Sequence, residues 1–251
     1  MINIVTGASG FIGKHLMKRL DLELTQAINH WDLFDYTHLE AERLFYLATY
    51  GNLSSHTDWT NILRANTVEP IQMVSRFTGK FIFVSTSSVN LPVQTPYSRT
   101  KAATEQVLLS MIEQDKPVFI VRPYTVIGVG EQPQHLIPTL IRSCFERELV
   151  KFYPHATHDF IDVEDFVKGL LKIDDEFPPG VYEFGRGIPI TNQCVLDMVQ
   201  VATERPANIE VVDTGRPYDT ADWCCKKPVM PLDKPLYHSI KEMVGAYINA
   251  H

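Results

Sequence analysis

The chain has few of the features that mark metal, membrane or nucleic-acid proteins. Two of its four cysteines, Cys144 and Cys194, are isolated and the other two, Cys224 and Cys225, are adjacent, so no metal-ligand spacing occurs and we expect reduced thiols. No apolar run is long enough to span a bilayer. The net charge is −7 without a basic tract, which argues against nucleic acid as the main partner. We therefore expect no metal site, no membrane partner and no nucleic-acid partner.

The sequence also lacks internal repeats and low-complexity tracts. Its 251 residues, 45% of them hydrophobic and 21% charged, suit one globular α/β domain with a small appendage. The pattern of the first strand starts at residue 2, which leaves no room for a signal peptide. We therefore expect a cytoplasmic protein.

The first twenty residues predict a strand, a tight turn and a helix. The β-prone residues 2–5 lead into Gly7, Gly10 and Gly13, and residues 14–20 have helical spacing. One glycine permits the sharp turn, one lets a pyrophosphate approach the main chain, and one lets helix and strand pack closely. Unpaired N–H groups and the helix dipole favour phosphates at the helix N-terminus. This turn predicts dinucleotide binding, and an ordinary strand-to-helix loop is the alternative.

The residues after this helix hold room for a single short strand, at 22–35, before a buried strand pattern at 43–49. A ribose-binding acid is expected about 20 residues beyond the glycine turn, which points to Asp32. A solvated loop aspartate is an equally good interpretation of Asp32.

A tyrosine and a lysine with i, i+4 spacing are the leading catalytic candidates. Residues 80–89 predict a strand that ends in hydroxyl side chains, among them Thr86, at the end of a parallel strand where ligands bind. Tyr97 follows, with Lys101 on the same face of a predicted helix. The lysine cation is expected to lower the Tyr97 pKa from about 10, so that the phenol exchanges a proton with a substrate oxygen. Turn formation and helix capping are the alternative role of the hydroxyls.

The same spacing occurs at Tyr237 and Lys241, so spacing alone does not select the pair. Tyr97 follows a strand that ends in hydroxyls and precedes a long helix. Tyr237 follows a proline-rich stretch near the C-terminus and is expected to start a C-terminal helix. The context therefore favours Tyr97 as the catalytic tyrosine.

The glycine turn, Thr86 and the Tyr97–Lys101 pair, in this order, resemble the extended short-chain dehydrogenase/reductase family, in particular its nucleotide-sugar branch of NAD-dependent epimerases and dehydratases. The similarity extends over nearly the whole chain and includes the segments 6–13, 47–49, 121–128, 158–165 and 216–219.

This resemblance implies an enzyme that uses NAD or NADP. In it Tyr97 is the acid/base, Lys101 holds the nicotinamide ribose and tunes Tyr97, and Thr86 hydrogen-bonds the reacting oxygen, with Ser87 and Ser88 less favoured for that role. Asp32 and Leu33 resemble the pair that meets the adenine, which competes with the ribose role of Asp32. The resemblance assigns the cofactor to Thr6, Gly7, Gly10, Phe11, Ile12, Gly13, Asp32, Leu33, Leu47, Ala48, Thr49, Tyr97, Lys101 and Pro123, and the substrate to Ser87, Thr125, His158 and Arg216.

Three departures from the family pattern limit the implied function. The family usually has two strands where residues 22–35 provide one, so the choice between NAD and NADP stays open. Dehydratases of the family have a Thr-Asp-Glu pattern where residues 86–88 of this chain are Thr-Ser-Ser. The acid and the base that eliminate water are therefore missing, and dehydration is disfavoured. His158 and Thr125 replace an arginine and an asparagine that usually meet the substrate. An imidazole is a poorer phosphate clamp than a guanidinium, so Arg216 becomes the main candidate, with a surface arginine as the alternative.

We therefore predict an α/β fold with a Rossmann-type, doubly wound parallel sheet, shortened to about six strands, and a small α/β substrate lobe. The Rossmann domain is expected in residues 1–128 and parts of 155–190, and the lobe in 129–155 and 186–251. The predicted function is hydride transfer at a ring carbon of a nucleotide sugar by a 4-ketoreductase or 4-epimerase. The alternative is a catalytically weak, cofactor-binding regulatory or structural subunit. The family's four-helix arrangement would make a homodimer through helices near residues 58–76 and 100–113.

Overall fold

The computed structural model divides into two compact units, and the first contains the predicted sheet. This first unit comprises Met1–Pro123 and Val167–Glu183, and the second comprises Tyr124–Phe166 and Phe184–His251. The predicted roles of Asp32 and Leu33 fall outside the residues that the structure describes. The described residues are 2–28, 41–53, 55–217, 219, 223–230, 232 and 234–251.

The described residues contain both strands and helices along the whole chain. The strands are β1 (Asn3–Thr6), β2 (Thr25–Ile28), β3 (Arg43–Tyr46), β4 (Lys80–Val84), β5 (Val118–Pro123), β6 (Thr125–Ile127), β7 (Val150–Phe152), β8 (Thr157–His158), β9 (Phe160–Asp162), β10 (Gly180–Phe184), β11 (Ile190–Thr191) and β12 (Ile209–Val211). The α-helices are α1 (Phe11–Met17), α2 (Trp59–Leu63), α3 (Glu69–Arg76), α4 (Pro96–Ile112), α5 (Leu136–Glu146), α6 (Val163–Glu176), α7 (Asn192–Thr203) and α8 (Leu236–Ala250).

Six strands in the described residues form one central sheet in the order β10-β5-β4-β3-β1-β2, and this confirms the predicted shortened Rossmann-type fold. The pairs β1–β2, β1–β3, β3–β4 and β4–β5 are parallel. Every residue of β1 and β3 is buried, which is typical of a parallel sheet covered on both faces. The chain passes to opposite sides of β1 for β2 and β3, so the topological switch point lies between β1 and β3, where ligands of such sheets bind.

The helical segment before β4 is interrupted by a π-helical turn. Asp58 caps α2 by accepting a hydrogen bond from the Thr60 amide at 2.8 Å. A π-helical turn at Arg64–Val68 then leads into α3, whose first turn holds Pro70. Proline lacks an amide hydrogen and is tolerated in a first turn, so the helical path continues past Pro70 with a changed hydrogen-bond pattern.

The second unit has its own apolar core, formed mainly by α5, α7 and α8 with β7 and β9. Its strands pair as β6–β9, β7–β12 and β8–β11, of which the last is antiparallel. The predicted C-terminal helix is confirmed as α8. None of the helices in the described residues has the length and apolar character needed to cross a membrane.

Candidate active site

Of the three glycines after β1, Gly7 and Gly13 lie in close backbone contacts and Gly10 borders open space. Gly7 has φ +69°, and a Cβ there would lie 2.8 Å from the Ala48 amide nitrogen. A Cβ at Gly13 would lie 2.1 Å from the Gly7 carbonyl oxygen, so helix and strand could not pack as they do. Apart from its two neighbours in the chain, a Cβ at Gly10 would meet one described atom within 4 Å, the Gly7 oxygen at 3.2 Å. The turn therefore leaves an open cradle beside Gly10 that a side chain would fill.

Hydrogen bonds hold the end of β3 beside this turn. The Thr6 hydroxyl accepts hydrogen bonds from the amides of Leu47, at 3.1 Å, and Ala48, at 3.2 Å. Because β1 and β3 flank the topological switch point, this contact brings Thr6, Leu47, Ala48 and Thr49 to the same edge of the sheet as the glycines. Phe11 and Ile12, which begin α1, are half-buried next to the turn, and Pro123 ends β5.

Tyr97 lies in the first turn of α4, which Thr95 caps by accepting a hydrogen bond from the Ser98 amide at 3.3 Å. The tyrosine residue is half-buried. Burial raises the pKa of Tyr97 to about 12, against an opposing effect of hydrogen bonds with the side chains of Thr49 and Thr86. Three segments of the first unit therefore meet at this phenol: α4, the end of β3 and the end of β4.

Lys101, one turn along α4, is fully buried. Its Nζ donates a hydrogen bond to the Val84 carbonyl oxygen at 2.9 Å and stands 4.5 Å from the centroid of the Phe83 ring. Burial lowers the pKa of Lys101 to about 7, and the charge of Glu105 partly offsets this. The predicted lowering of the Tyr97 pKa by Lys101 is therefore wrong. Desolvation disfavours the charged form of both groups, and sequence spacing does not show it.

The hydroxyls after β4 have a local structural role as well as a place at the site. Thr86 Oγ1 lies 2.8 Å from Ser88 Oγ and accepts a hydrogen bond from the Ser88 amide at 3.2 Å, which caps a short 3₁₀-helix at Ser87–Asn90. Ser87 is fully buried, and its hydroxyl has no hydrogen-bond partner among the described residues. Thr86 therefore has both of the expected roles: it caps the 3₁₀-helix and it contacts Tyr97.

Two buried polar residues near this site were missed by sequence reasoning. Asn66, in the π-helical turn, accepts a hydrogen bond from the Thr49 hydroxyl at 2.8 Å and donates to Thr100 Oγ1 at 3.1 Å. Glu105 is bound by Ser85 and Arg122. Its signal was available, because Glu105 continues the i, i+4 row that begins with Tyr97 and Lys101.

In the second unit, His158 is buried and contacts aromatic rings. The ring centroids of Trp223 and Phe160 lie 5.3 and 5.6 Å from that of His158. Burial, together with the positive charge of Arg216, lowers the pKa of His158 to about 4. The imidazole is therefore neutral at pH 7 and offers no positive charge to a phosphate. Its Nδ1 has no hydrogen-bond partner among the described residues.

The other two substrate candidates of the second unit have different surroundings. The exposed Arg216 pairs with Asp219, with 2.9 Å between Nη2 and Oδ1. Thr125 begins β6, and its amide donates a hydrogen bond to the carbonyl oxygen of Asp159 at 2.9 Å.

Comparisons with known proteins agree with this architecture. Residues 64–185 match the model of the NAD dependent epimerase/dehydratase family. GDP-6-deoxy-D-mannose reductase from Pseudomonas aeruginosa is 25% identical over 214 residues, which cover 67% of this chain and 69% of that protein. The structure of MoeE5 in complex with UDP-glucuronic acid and NAD has a TM-score of 0.87 and 21% identity over 100% of both chains. A UDP-N-acetylglucosamine 4-epimerase from Methanobrevibacter ruminantium M1, in complex with UDP-N-acetylmuramic acid, has a TM-score of 0.86 and 19% identity over 100% of this chain and 99% of that one. The resemblance indicated by the motifs is confirmed.

Proposed function

We propose, from the match to the NAD dependent epimerase/dehydratase family, that the chain is an NAD(P)-dependent oxidoreductase that acts on a ring carbon of a nucleotide sugar. The observation that carries this proposal is the meeting of Tyr97 with Thr86 at the carboxyl end of β4. The glycine turn follows β1, and parallel strands end at the same edge of a sheet. The proposed acid/base and the proposed cofactor turn therefore lie on one edge.

The residues of the turn fit a dinucleotide. The space beside Gly10 is proposed to take the pyrophosphate, and Gly7 and Gly13 keep the backbone close around it. Thr6, Leu47 and Ala48 line the adjoining switch point. A bound NAD or NADP would accept or deliver the hydride. Similar structures contain NAD, in MoeE5, or NADPH, in RMD from Pseudomonas aeruginosa, and both cofactors stay open for this chain.

Tyr97 is proposed to give a proton to the sugar oxygen, and Thr86 to hydrogen-bond the same oxygen. With a pKa of about 12, the phenol is protonated at neutral pH and ready to act as an acid. That state suits reduction of a ketone, which consumes a proton at oxygen. Both a 4-ketoreductase and a 4-epimerase contain such a step, and an epimerase must in addition remove a proton from an alcohol. Lys101 is proposed to bind the nicotinamide ribose.

Ser87 is the proposed substrate contact of the first unit. The second unit, taken by itself, contains three proposed substrate contacts, Thr125, His158 and Arg216. His158 would contribute a neutral imidazole, because its pKa of about 4 leaves it uncharged at pH 7. Arg216 would then supply the positive charge for the diphosphate. In this arrangement, the pairing of Arg216 with Asp219 orients the guanidinium.

A homodimer is proposed through α2, α3 and α4. Exposed apolar side chains occur along the first helical segment and on α4, which contact each other. Such side chains on neighbouring helices suit a helix-to-helix interface between two copies. These side chains are Trp59, Leu63, Val68 and Val107.

A second candidate function is a cofactor-binding subunit with weak activity, which the short loop between Thr86 and Tyr97 favours. Dehydratases are also among the similar structures, but Ser87 and Ser88 supply neither the acid nor the base of a dehydration. The deciding experiment measures NADH and NADPH oxidation with a panel of nucleotide 4-ketosugars, beside an epimerisation assay on the matching nucleotide sugars. Turnover that Tyr97→Phe abolishes supports the enzyme. Tight cofactor binding without turnover across the panel supports the subunit.

A further inference from the structure

A buried carboxylate lies on α4 one turn beyond Lys101. Glu105 is 1% exposed. It accepts a hydrogen bond from the Ser85 hydroxyl. The Arg122 guanidinium binds it at both oxygens, with 3.1 Å from Nε to each of them and 2.6 Å from Nη2 to Oε2. These hydrogen bonds replace those that the buried carboxylate would make with water.

This anion joins the two elements that carry the proposed active residues. Ser85 directly precedes Thr86 at the end of β4, and Glu105 lies on the same helix as Tyr97 and Lys101. The three helix residues are four apart and therefore share one face. The contact between Glu105 and Ser85 fixes that face against the end of β4, in addition to the hydrogen bond from Lys101 to the Val84 carbonyl.

The anion also acts on the charge of Lys101. Within the part of the chain that the structure describes, the Lys101 ammonium has one hydrogen-bond acceptor and one aromatic ring but no ion-pair partner. Burial favours its neutral form, and Glu105 is the charged group that favours the protonated form. A ribose-binding lysine needs its protons as hydrogen-bond donors.

We propose that Glu105 is a positioning residue of this site, which holds the end of β4 against α4 through Ser85 and supplies a negative charge on the face of α4 that carries Lys101. The inference rests on the proposed function, since it gives Lys101 the ribose-binding role. Its rival is a purely structural ion pair between Glu105 and Arg122, which would leave the titration of Lys101 unchanged.

The test follows the titration of Lys101 directly, in the protein without cofactor or substrate. Lysine labelled with ¹³C at Cε is incorporated, and the Lys101 resonance is assigned by its loss in Lys101→Met. Glu105→Gln keeps the shape and the acceptor oxygen for Ser85 but removes the charge. We expect the Lys101 midpoint to fall by about one pH unit in this variant. The pH profile of kcat/KM, measured with a nucleotide sugar that the enzyme converts, should shift its alkaline side in the same direction.

The matched control is Glu183→Gln, because Glu183 also faces Arg122, with 3.8 Å between Nη1 and Oε1, but lies on β10 and not on α4. It should leave the Lys101 midpoint in place. An unchanged midpoint in Glu105→Gln, or an equal shift in both variants, overturns the proposal. If loss of the ion pair with Arg122 prevents Glu105→Gln from folding, Glu105→Gln with Arg122→Gln replaces that ion pair by two amides. The same fall is expected there, and an unchanged midpoint counts against the proposal. The titration needs no substrate, so its outcome is separate from the panel assay of the proposed function.

Discussion

Lys101 Nζ donates a hydrogen bond of 2.9 Å to the carbonyl oxygen of Val84, so a fully buried ammonium fastens α4 to the last residue of β4. Burying an ammonium without an ion-pair partner costs free energy. An apolar side chain of similar length would fill the same space without that cost. The presence of lysine at this position is therefore better explained by a function than by stability.

The first prediction concerns this cost. Burial lowers the Lys101 pKa from 10.5 to about 7, so below about pH 7 the folded and unfolded states are both protonated and the destabilisation is complete. As the pH rises towards 10.5, the folded protein holds the neutral amine and the destabilisation disappears. Lys101→Met should raise the free energy of unfolding near pH 6 by a few kcal/mol, since one pKa unit is worth about 1.4 kcal/mol. Urea unfolding at about pH 6 and about pH 10 measures this gain, and an equal gain at both values contradicts the explanation.

The second prediction concerns the cradle beside Gly10. This residue has φ −73° and ψ 175°, which any amino acid adopts, so a substitution there introduces no backbone strain. Gly10→Val should abolish NAD(P) binding and leave the thermal unfolding temperature nearly unchanged, because the side chain would occupy the space proposed for the pyrophosphate. Calorimetric titration with NADH and NADPH measures the affinity. Gly245→Val on α8 is the control, since a Cβ there meets no described atom within 4 Å. Full affinity in Gly10→Val would remove the turn from the site.

The third prediction concerns an ion cluster in the first unit, formed by Arg43 and Lys80 with Asp174 and Asp175. The hydrogen bond from Arg43 lowers the pKa of the largely exposed Asp175 below 3.8. Asp175 therefore stabilises the fold above about pH 4, and the stabilisation is lost as the pH falls. Asp175→Asn should cost at most about 1 kcal/mol at pH 7, because the pair is screened by solvent. The difference between variant and wild type should shrink steadily in urea unfolding as the pH falls below about 4, and a difference that stays constant there contradicts the assignment.

Elements set by local sequence were predictable, including the strand at 180–184 and the helix at 192–203. Their signals are local: an apolar pattern of fixed period, and a threonine that caps the helix. The single strand between residues 22 and 28 followed from the shortness of the segment. The row of Tyr97 and Lys101 was likewise visible in the spacing.

What the sequence did not show depends on contacts between distant segments. Glu105 meets Ser85 and Arg122, which are twenty residues before it and seventeen after it, and no periodicity connects them. The predicted direction of the Tyr97 pKa shift was wrong for the same reason. Spacing places a cation near the phenol, but only the folded structure shows how far both groups are desolvated.

The fourth prediction concerns the proposed homodimer. Trp59 and Val107 are 53% and 37% exposed on α2 and α4. If these helices pair between two copies, Trp59→Glu combined with Val107→Glu should turn a dimer into a monomer, since it buries two charges in an apolar interface. Sedimentation velocity at micromolar concentration measures the change. Val201→Glu on α7, at a valine 65% exposed, is the control and should remain dimeric. A wild-type monomer contradicts the proposed interface.

The last prediction separates two pairs that share one spacing. Tyr97 contacts Thr49 and Thr86, whereas Tyr237, in the first turn of α8, has the Lys241 ammonium 5.8 Å from its ring centroid. Tyr97→Phe should lower kcat by about 10²- to 10⁴-fold, the usual contribution of general acid catalysis. Cofactor affinity should be retained, because the phenol is not its main anchor.

Tyr237→Phe should leave kcat within about twofold, since its hydroxyl takes no part in the proposed proton transfer. Both variants are assayed on the nucleotide sugar that the panel identifies, with cofactor affinity measured beside kcat. The phenol has a pKa of about 12, so the lost activity of Tyr97→Phe should not return anywhere between about pH 6 and 9, where wild-type Tyr97 stays protonated. Full activity in Tyr97→Phe, or its loss in Tyr237→Phe, would mean that the proton comes from another group and that the meeting of Tyr97 with Thr86 is only structural.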